Sequence, residues 1–166
     1  MTRESIGESF KERTESTRGR RAWERKLDAD IAIAAGNTVP VLITGPMQAA
    51  VDIVQAITAQ QDSPQIVTYD AGARPDIGSV FAEGRQAAAR RGSAVLWLRE
   101  IHQLETRAQR TLASELMSEM AREQRNLRVI TSSTASLFDS VAAGSFDARL
   151  FYRLNTIHII VPANHR

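Results

Sequence analysis

Five short runs of almost unbroken apolar residues punctuate this chain: Val41–Thr44 (VLIT), Gln65–Tyr69 (QIVTY), Ala94–Leu98 (AVLWL), Leu127–Thr131 (LRVIT) and Thr156–Val161 (TIHIIV). A strand with one wet face alternates apolar and polar residues; runs without alternation are buried on both faces, which is the condition of a parallel sheet between two helical layers. The segments between them carry helical periodicity. Met47 to Gln60 places Ala50, Val54 and Ile57 on one side, and Leu104 to Arg122 puts Ala108, Leu112, Leu116 and Met120 in register. Ser79 to Arg90, Thr134 to Ala143 and Phe146 to Leu154 read as further helices, with Gly92 and Gly144 as stops. In Arg21 to Gly36, Trp23, Leu27, Ile31 and Ala34 mark an initial helix whose apolar anchor is Trp23. Strand and helix in alternation predict an α/β fold, a three-layer α/β/α sandwich around a five-stranded, mainly parallel sheet with right-handed crossovers. Ligands of such folds sit beyond the carboxyl ends of the strands. That rim carries Thr44-Gly45, Asp70-Ala71, Arg99-Glu100 and Thr131 to Thr134.

A length of 166 residues suits one domain. The expected division is a charged, flexible N-terminal arm over residues 1–20, an α/β domain over 21–162 and a tail over 163–166. The absence of cysteine excludes disulfides, thiolate metal sites and cysteine nucleophiles. The first thirty residues are too charged for a secretory signal, and no apolar run approaches the roughly 18 residues that span a bilayer. A cytoplasmic protein without membrane contact is expected. Between Met1 and Lys26, eight basic residues stand against five glutamates, so this segment carries +3 where the whole chain carries only +2. Such a run is ordinarily a solvated arm; the alternative is contact with nucleic-acid phosphates through Arg18, Arg20, Arg21, Arg25 and Lys26. His102, His158 and His165 show no metal spacing, and His158 lies inside an apolar run as a packed histidine would. Ser132, Ser133 and Thr134 place hydroxyls at the rim with no histidine near them in sequence.

The stretch Gly144 to Pro162, GSFDARLFYRLNTIHIIVP, resembles the segment G-R-F-R-x-D-L-Y-Y-R-L-N-V-F-x-I-x-L-P of the AAA+ core in sigma-54-dependent (NtrC-type) transcription activators. Phe146, Leu150, Tyr152, Arg153, Leu154, Asn155 and Pro162 are retained without a gap. Leu127 to Thr134 (LRVITSST) is similar to the family's V-R-V-I-A-A-T-N, and Leu96 to Leu104 (LWLREIHQL) to L-F-L-D-E-I-G-E-L. AQRTLASEL resembles v-Q-x-K-L-L-R-v-L, and Val41 to Ile57 resembles V-L-I-x-G-E-S-G-T-G-K-E-x-x-A-x-x-I. Five motifs in order, from about Leu27 to Pro162, imply the AAA+ fold.

What the resemblance implies for chemistry is mostly loss. A P-loop uses glycine to turn backbone N–H groups toward phosphate and a lysine to neutralise it. Here Gly45 is kept, Gln48 and Ala50 replace glycines, Val51 replaces the lysine, and Asp52 follows with a charge that repels phosphate. The acidic pair that would hold Mg²⁺ and position water reads Arg99-Glu100. The family's asparagine at the end of the fourth strand is Thr134. Of two arginines that reach a neighbouring subunit's nucleotide, the first is Asp147 and the second is Arg153. Asp70 to Ser93 is too short for the family's GAFTGA insertion, and the sequence given stops at Arg166 before a lid or helix-turn-helix would follow. The expectation is a degenerate ATPase: no hydrolysis, no metal, no cofactor, no remodelling of sigma-54 polymerase.

Gly45, Val51, Asp52, Arg99, Glu100 and Thr134 are therefore expected as a vestigial nucleotide site, in which Asp52 and Arg99 form a structural ion pair. Asp147 and Arg153 are expected at a subunit interface, or Arg153 in an internal pair with Asp147 or Asp139. The function this implies is a non-catalytic regulatory or adaptor role in transcription, exerted through a protein partner or AAA+-like self-association. The alternatives are a nucleotide sensor without hydrolysis, with Arg99 standing in for lysine and metal, and a nucleic-acid-binding module using the basic arm.

Overall fold

All five apolar runs pair side by side, in the order β2-β3-β4-β1-β5, and every pairing is parallel. The strands are β1 (Val41–Thr44), β2 (Gln65–Asp70), β3 (Ala94–Arg99), β4 (Leu127–Ser133) and β5 (Ile157–Ile160). The computed structural model describes residues 3–59, 64–73 and 76–163, with side chains from Thr17 onward. Between the strands run α1 (Arg3–Ala35), α2 (Met47–Thr58), α3 (Ile77–Arg91), α4 (Thr106–Met120), α5 (Leu137–Ala142) and α6 (Ala148–Leu154).

Side chains alternate across each strand, so the sheet feeds two separate cores. Leu42, Val67, Tyr69, Leu96, Leu98 and Val129 pack with residues of α3, α4, α5 and α6, among them Phe81, Leu112, Leu116 and Leu150. Val41, Ile43, Val95, Trp97, Ile130 and Ile159 pack with Ala34 of α1 and Ala50, Ile53, Val54 and Ile57 of α2. The central strands β1, β3 and β4 are therefore covered on both faces, while the edge strand β2 buries only Val67 and Tyr69 and leaves Ile66 and Thr68 exposed on its other face. Trp23, Leu27 and Ile31 lie half-buried against the second core, confirming Trp23 as an anchor of α1.

The first helix departs from expectation. The helix expected to start at Arg21 begins at Arg3 and runs 33 residues, taking in the charged segment expected as an arm. The added segment holds no proline and is rich in glutamate, arginine and lysine, which favour helix even where no apolar stripe marks one. The far end of α1 is held from inside the fold: Arg128, only 4 % exposed at the start of β4, donates from Nη2 to the Ala34 carbonyl. A cation placed on the last carbonyls of a helix complements its dipole. Burial pushes the Arg128 guanidinium below its ordinary pKa, and its Nε and Nη1 have no hydrogen-bond partner.

Smaller differences have local causes. Asp76, Ser136 and Asp147 each cap a helix by accepting a backbone N–H at the third residue of the following turn, fixing the starts of α3, α5 and α6. Gly92 ends α3 with a left-handed φ of 83°. Of the expected tail, Asn164 to Arg166, with His165, lies outside the described residues.

Candidate functional site

The chain leaves β1 toward one face of the sheet, into α2, and leaves β4 toward the other, into α5 and α6. Those two strands are neighbours, with Thr44 beside Ser133. A crevice opens where adjacent connections diverge, and this is where open α/β sheets bind ligands. The Gly45 N–H bridges the point itself, donating to the Ser133 carbonyl at 3.1 Å. Gly45 has φ 150°, and a Cβ there would lie 2.6 Å from the Val161 carbonyl oxygen. No side chain fits.

The expected phosphate loop is not a loop. Only Gly45 and Pro46 separate β1 from α2, so Met47 to Ala50 form the helix's first turn. The Ala50 N–H is already bonded to the Pro46 carbonyl at 3.1 Å. Glu100 is the one non-glycine residue with positive φ among those described, so Gln48 and Ala50 do not adopt the left-handed turn that glycine allows in the family motif. Val51 packs half-buried on the α1/α2 core. The start of α2 has no side-chain cap, and its free N–H groups present only a partial positive charge.

Asp52 and Arg99 do not form the expected ion pair. The helix turns Asp52 outward, where it accepts from Gln48 Nε2 at 3.1 Å. Arg99 instead lies over the indole of Trp97, its guanidinium carbon 5.4 Å from the ring centre. Both side chains rise from β3 two residues apart and so share a face. The Arg99 Nε is buried and has no hydrogen-bond partner.

Glu100, His102, Ser133 and Thr134 come together where β3 and β4 end side by side. Glu100 holds φ 53° and ψ 42°, a left-handed conformation that strains a residue with a Cβ. Its Oε2 accepts from the Thr134 hydroxyl at 2.7 Å and lies 3.5 Å from His102 Nδ1; its Oε1 is buried without a partner. Ser133 Oγ is 2.9 Å from the same His102 nitrogen. That serine, which the sequence left without a histidine, therefore has one 31 residues away. Chemically it is not a nucleophile's arrangement. The single Ser133 proton goes to the Ala135 carbonyl at 2.6 Å, so the hydroxyl accepts from histidine rather than giving up its proton to it. The cluster ties two strand ends together. Beside it, Thr44 Oγ1 and His158 Nε2 are 2.9 Å apart, and burial holds the His158 pKa below its ordinary value. Among the described residues no three histidines, aspartates or glutamates gather as a metal site would need.

Asp147 and Arg153 lie at the α4–α6 junction. Asp147 Oδ1 caps α6 by accepting the Leu150 N–H at 2.8 Å, and its own N–H donates to Gln109 Oε1 at 2.8 Å. Arg153 has no ion pair with Asp147 or Asp139 among the described residues. On α1, Arg18, Arg20, Arg21, Arg25 and Lys26 are exposed, and among the described residues only Lys26 is paired, with Asp30 at 2.5 Å.

A parallel five-stranded sheet between helical layers, with a strand–glycine–helix junction at its switch point, defines a P-loop NTPase fold of the AAA+ kind. More particularly, the chain belongs to the family described as the Sigma-54 interaction domain, which matches residues 19–163. Among solved structures it is similar to NtrX from Brucella abortus in complex with ATP: 24 % identity and a TM-score of 0.64 over 85 % of this chain and 37 % of that one. The P-loop NTPase domain of a sigma-54 activator from E. coli is 18 % identical with a TM-score of 0.58, covering 80 % of this chain and 97 % of that chain. The Thermotoga maritima RuvB Holliday junction branch migration motor is 16 % identical with a TM-score of 0.55, covering 85 % and 44 %. At such identities the likeness is one of fold, and the chain spans little more than a third of NtrX. No curated protein matches it by sequence. No helix among the described residues is long and apolar enough to cross a membrane.

Proposed function

We propose that this chain is a non-catalytic regulatory or adaptor domain, a pseudo-ATPase linked to transcription regulation through protein partners, and that it works in the cytoplasm without ATP hydrolysis. One observation carries the reading: the segment that would wrap a phosphate is the first turn of α2, with Val51 packed on the core where the family has its lysine. Phosphoryl transfer depends on positioned charge, and here Arg99 lies on Trp97 where a metal-binding carboxylate would stand. The vestigial site comprises Gly45, Val51, Asp52, Arg99, Glu100 and Thr134; Asp147 and Arg153 remain on a surface available for AAA+-like self-association. Isothermal titration with ATP, ADP and cyclic dinucleotides, with and without Mg²⁺, tests it. No binding is expected; micromolar affinity without turnover would make the chain a nucleotide sensor instead, and turnover would overturn the reading altogether.

A second reading is favoured by α1. Arg18, Arg21 and Arg25 recur at three- and four-residue spacing, which makes one stripe, and Trp23, Leu27 and Ile31 form the anchored stripe opposite. An outward row of arginines without ion pairs among the described residues suits nucleic-acid phosphates. If all three contact phosphate, log K against log salt falls with a slope of about −3, and glutamine at the three positions abolishes it.

A further inference from the structure

We propose that the cleft between α4 and α6 is a docking site for an acidic segment of a partner protein, recognised through Arg110, Arg149 and Arg153. This rests on the adaptor reading above and gives it a surface. The cleft has a volume of about 330 Å³ and is lined by these three arginines together with Thr106, Gln109 and Asp147. None of the three guanidinium groups has an ion pair or side-chain hydrogen bond among the described residues.

Two polar residues of the cleft already have partners. Gln109 is 4 % exposed and uses its whole amide: Nε2 donates to the Leu104 and Ser145 carbonyls at 2.8 and 2.9 Å, and Oε1 accepts the Asp147 N–H. Asp147 is committed to its cap. Three guanidinium forks without partners among the described residues, set around a hydrogen-bonded Gln109, are complementary to carboxylates, which such forks bind in bidentate fashion. Where the family segment reads R-x-D, this chain reads Asp147-Ala148-Arg149, so the cap position carries the carboxylate and the first turn of α6 the arginine.

The surroundings favour a protein ligand. Arg149, Tyr152 and Arg153 share the outward face of α6, while Leu150, Phe151 and Leu154 face the core. Tyr152 is 73 % exposed, and Phe138 on the adjacent α5 is 69 % exposed. Exposed tyrosine, phenylalanine and arginine together are the residues that protein interfaces concentrate. Duplex nucleic acid calls instead for cations along a line, and the α1 stripe, not this cleft, has that form.

The test is fluorescence anisotropy of a labelled hexaglutamate peptide with the full chain, with hexaglutamine as the control. The peptide is expected to bind the chain and hexaglutamine not to. Arg149→Glu/Arg153→Glu is expected to weaken binding at least about ten-fold, while Arg18→Glu/Arg21→Glu, an equal charge change elsewhere, leaves it unchanged. Thermal melts of both variants show whether the fold is kept, and Arg149→Glu alone, at an exposed position, gives a smaller loss in the same direction. Equal loss from both double variants, or no preference for glutamate over glutamine, would overturn the proposal. So would displacement of the peptide from the cleft by inorganic phosphate or duplex DNA at lower concentration than free acidic peptide. None of these outcomes bears on nucleotide turnover, so the adaptor reading stands or falls by its own titration.

Discussion

Arg99 lies across the face of Trp97, and Trp97 in turn donates its indole N–H to Ser132 Oγ at 3.0 Å. A cation that family resemblance would set against Asp52 is thereby held by an aromatic ring inside one strand. Two consequences can be measured. Asp52→Asn should change the unfolding free energy by less than about 0.5 kcal/mol, as an exposed substitution without a charged partner does. Arg99→Ala should lose about 0.5–1 kcal/mol with the cation–π contact, and should shift tryptophan emission. A double-mutant cycle of the two showing coupling above that scale would restore the ion pair.

Gly45→Ala should be among the most damaging single changes in the chain. Its Cβ would meet the Val161 carbonyl oxygen at 2.6 Å, and both atoms belong to backbone held by β1 and the end of β5. A loss of more than about 2 kcal/mol is expected in chemical denaturation, because neither strand can give way cheaply. A variant of wild-type stability would show that the crevice is roomier than this.

His158 sets a pH dependence. Burial lowers its folded pKa below the ordinary value of 6.5. In the interval between the two values the unfolded chain binds the extra proton, so stability rises with pH there. The His158 contribution is fully present above about 6.5 and is lost as pH falls toward the folded pKa. Denaturation midpoints of wild type and His158→Gln, followed from pH 7.5 down to 5, should converge if this is right; parallel curves would count against it.

Arg128→Met should leave stability unchanged or raise it by about 1 kcal/mol, since a buried cation without a carboxylate partner is costly and methionine fills similar volume. Arg128→Ala should instead destabilise, by leaving a hole beneath Ala34. If methionine is as damaging as alanine, the bond to the last turn of α1 matters more than the buried charge.

β1, β3 and β4 were legible because burial on both faces forces short continuous apolar runs; β2, exposed on one face, was marked by its β-branched and aromatic residues. The start of α1 was not legible, because the sequence of residues 3–20 offers charge without an apolar stripe, and periodicity is the signal that separates helix from coil. The Asp52–Arg99 pairing failed on backbone conformation. Once Gln48 and Ala50 cannot take the glycine turn, the helix starts at Met47, and rotation carries Asp52 to the surface. The internal pairing of Arg153 is likewise absent: Asp147 caps α6 through Oδ1, and no ion pair joins the two among the described residues. The Ser133–His102 contact crosses 31 residues, and only the lateral pairing of β3 with β4 creates it.

The sheet order also dictates when this chain can fold. Val41 of β1 sits between Ile130 and Ile157, so both neighbours of the first strand are made from the last quarter of the sequence. During synthesis β1 must wait, unpaired and apolar, until residues 127–160 have emerged, and such long closures slow folding and expose strand edges. In the finished fold, Ala34 of α1 and Ala50 and Ile53 of α2 share one core with Val41 and Ile43, so the layer that covers β1 is encoded ahead of its neighbours in the sheet.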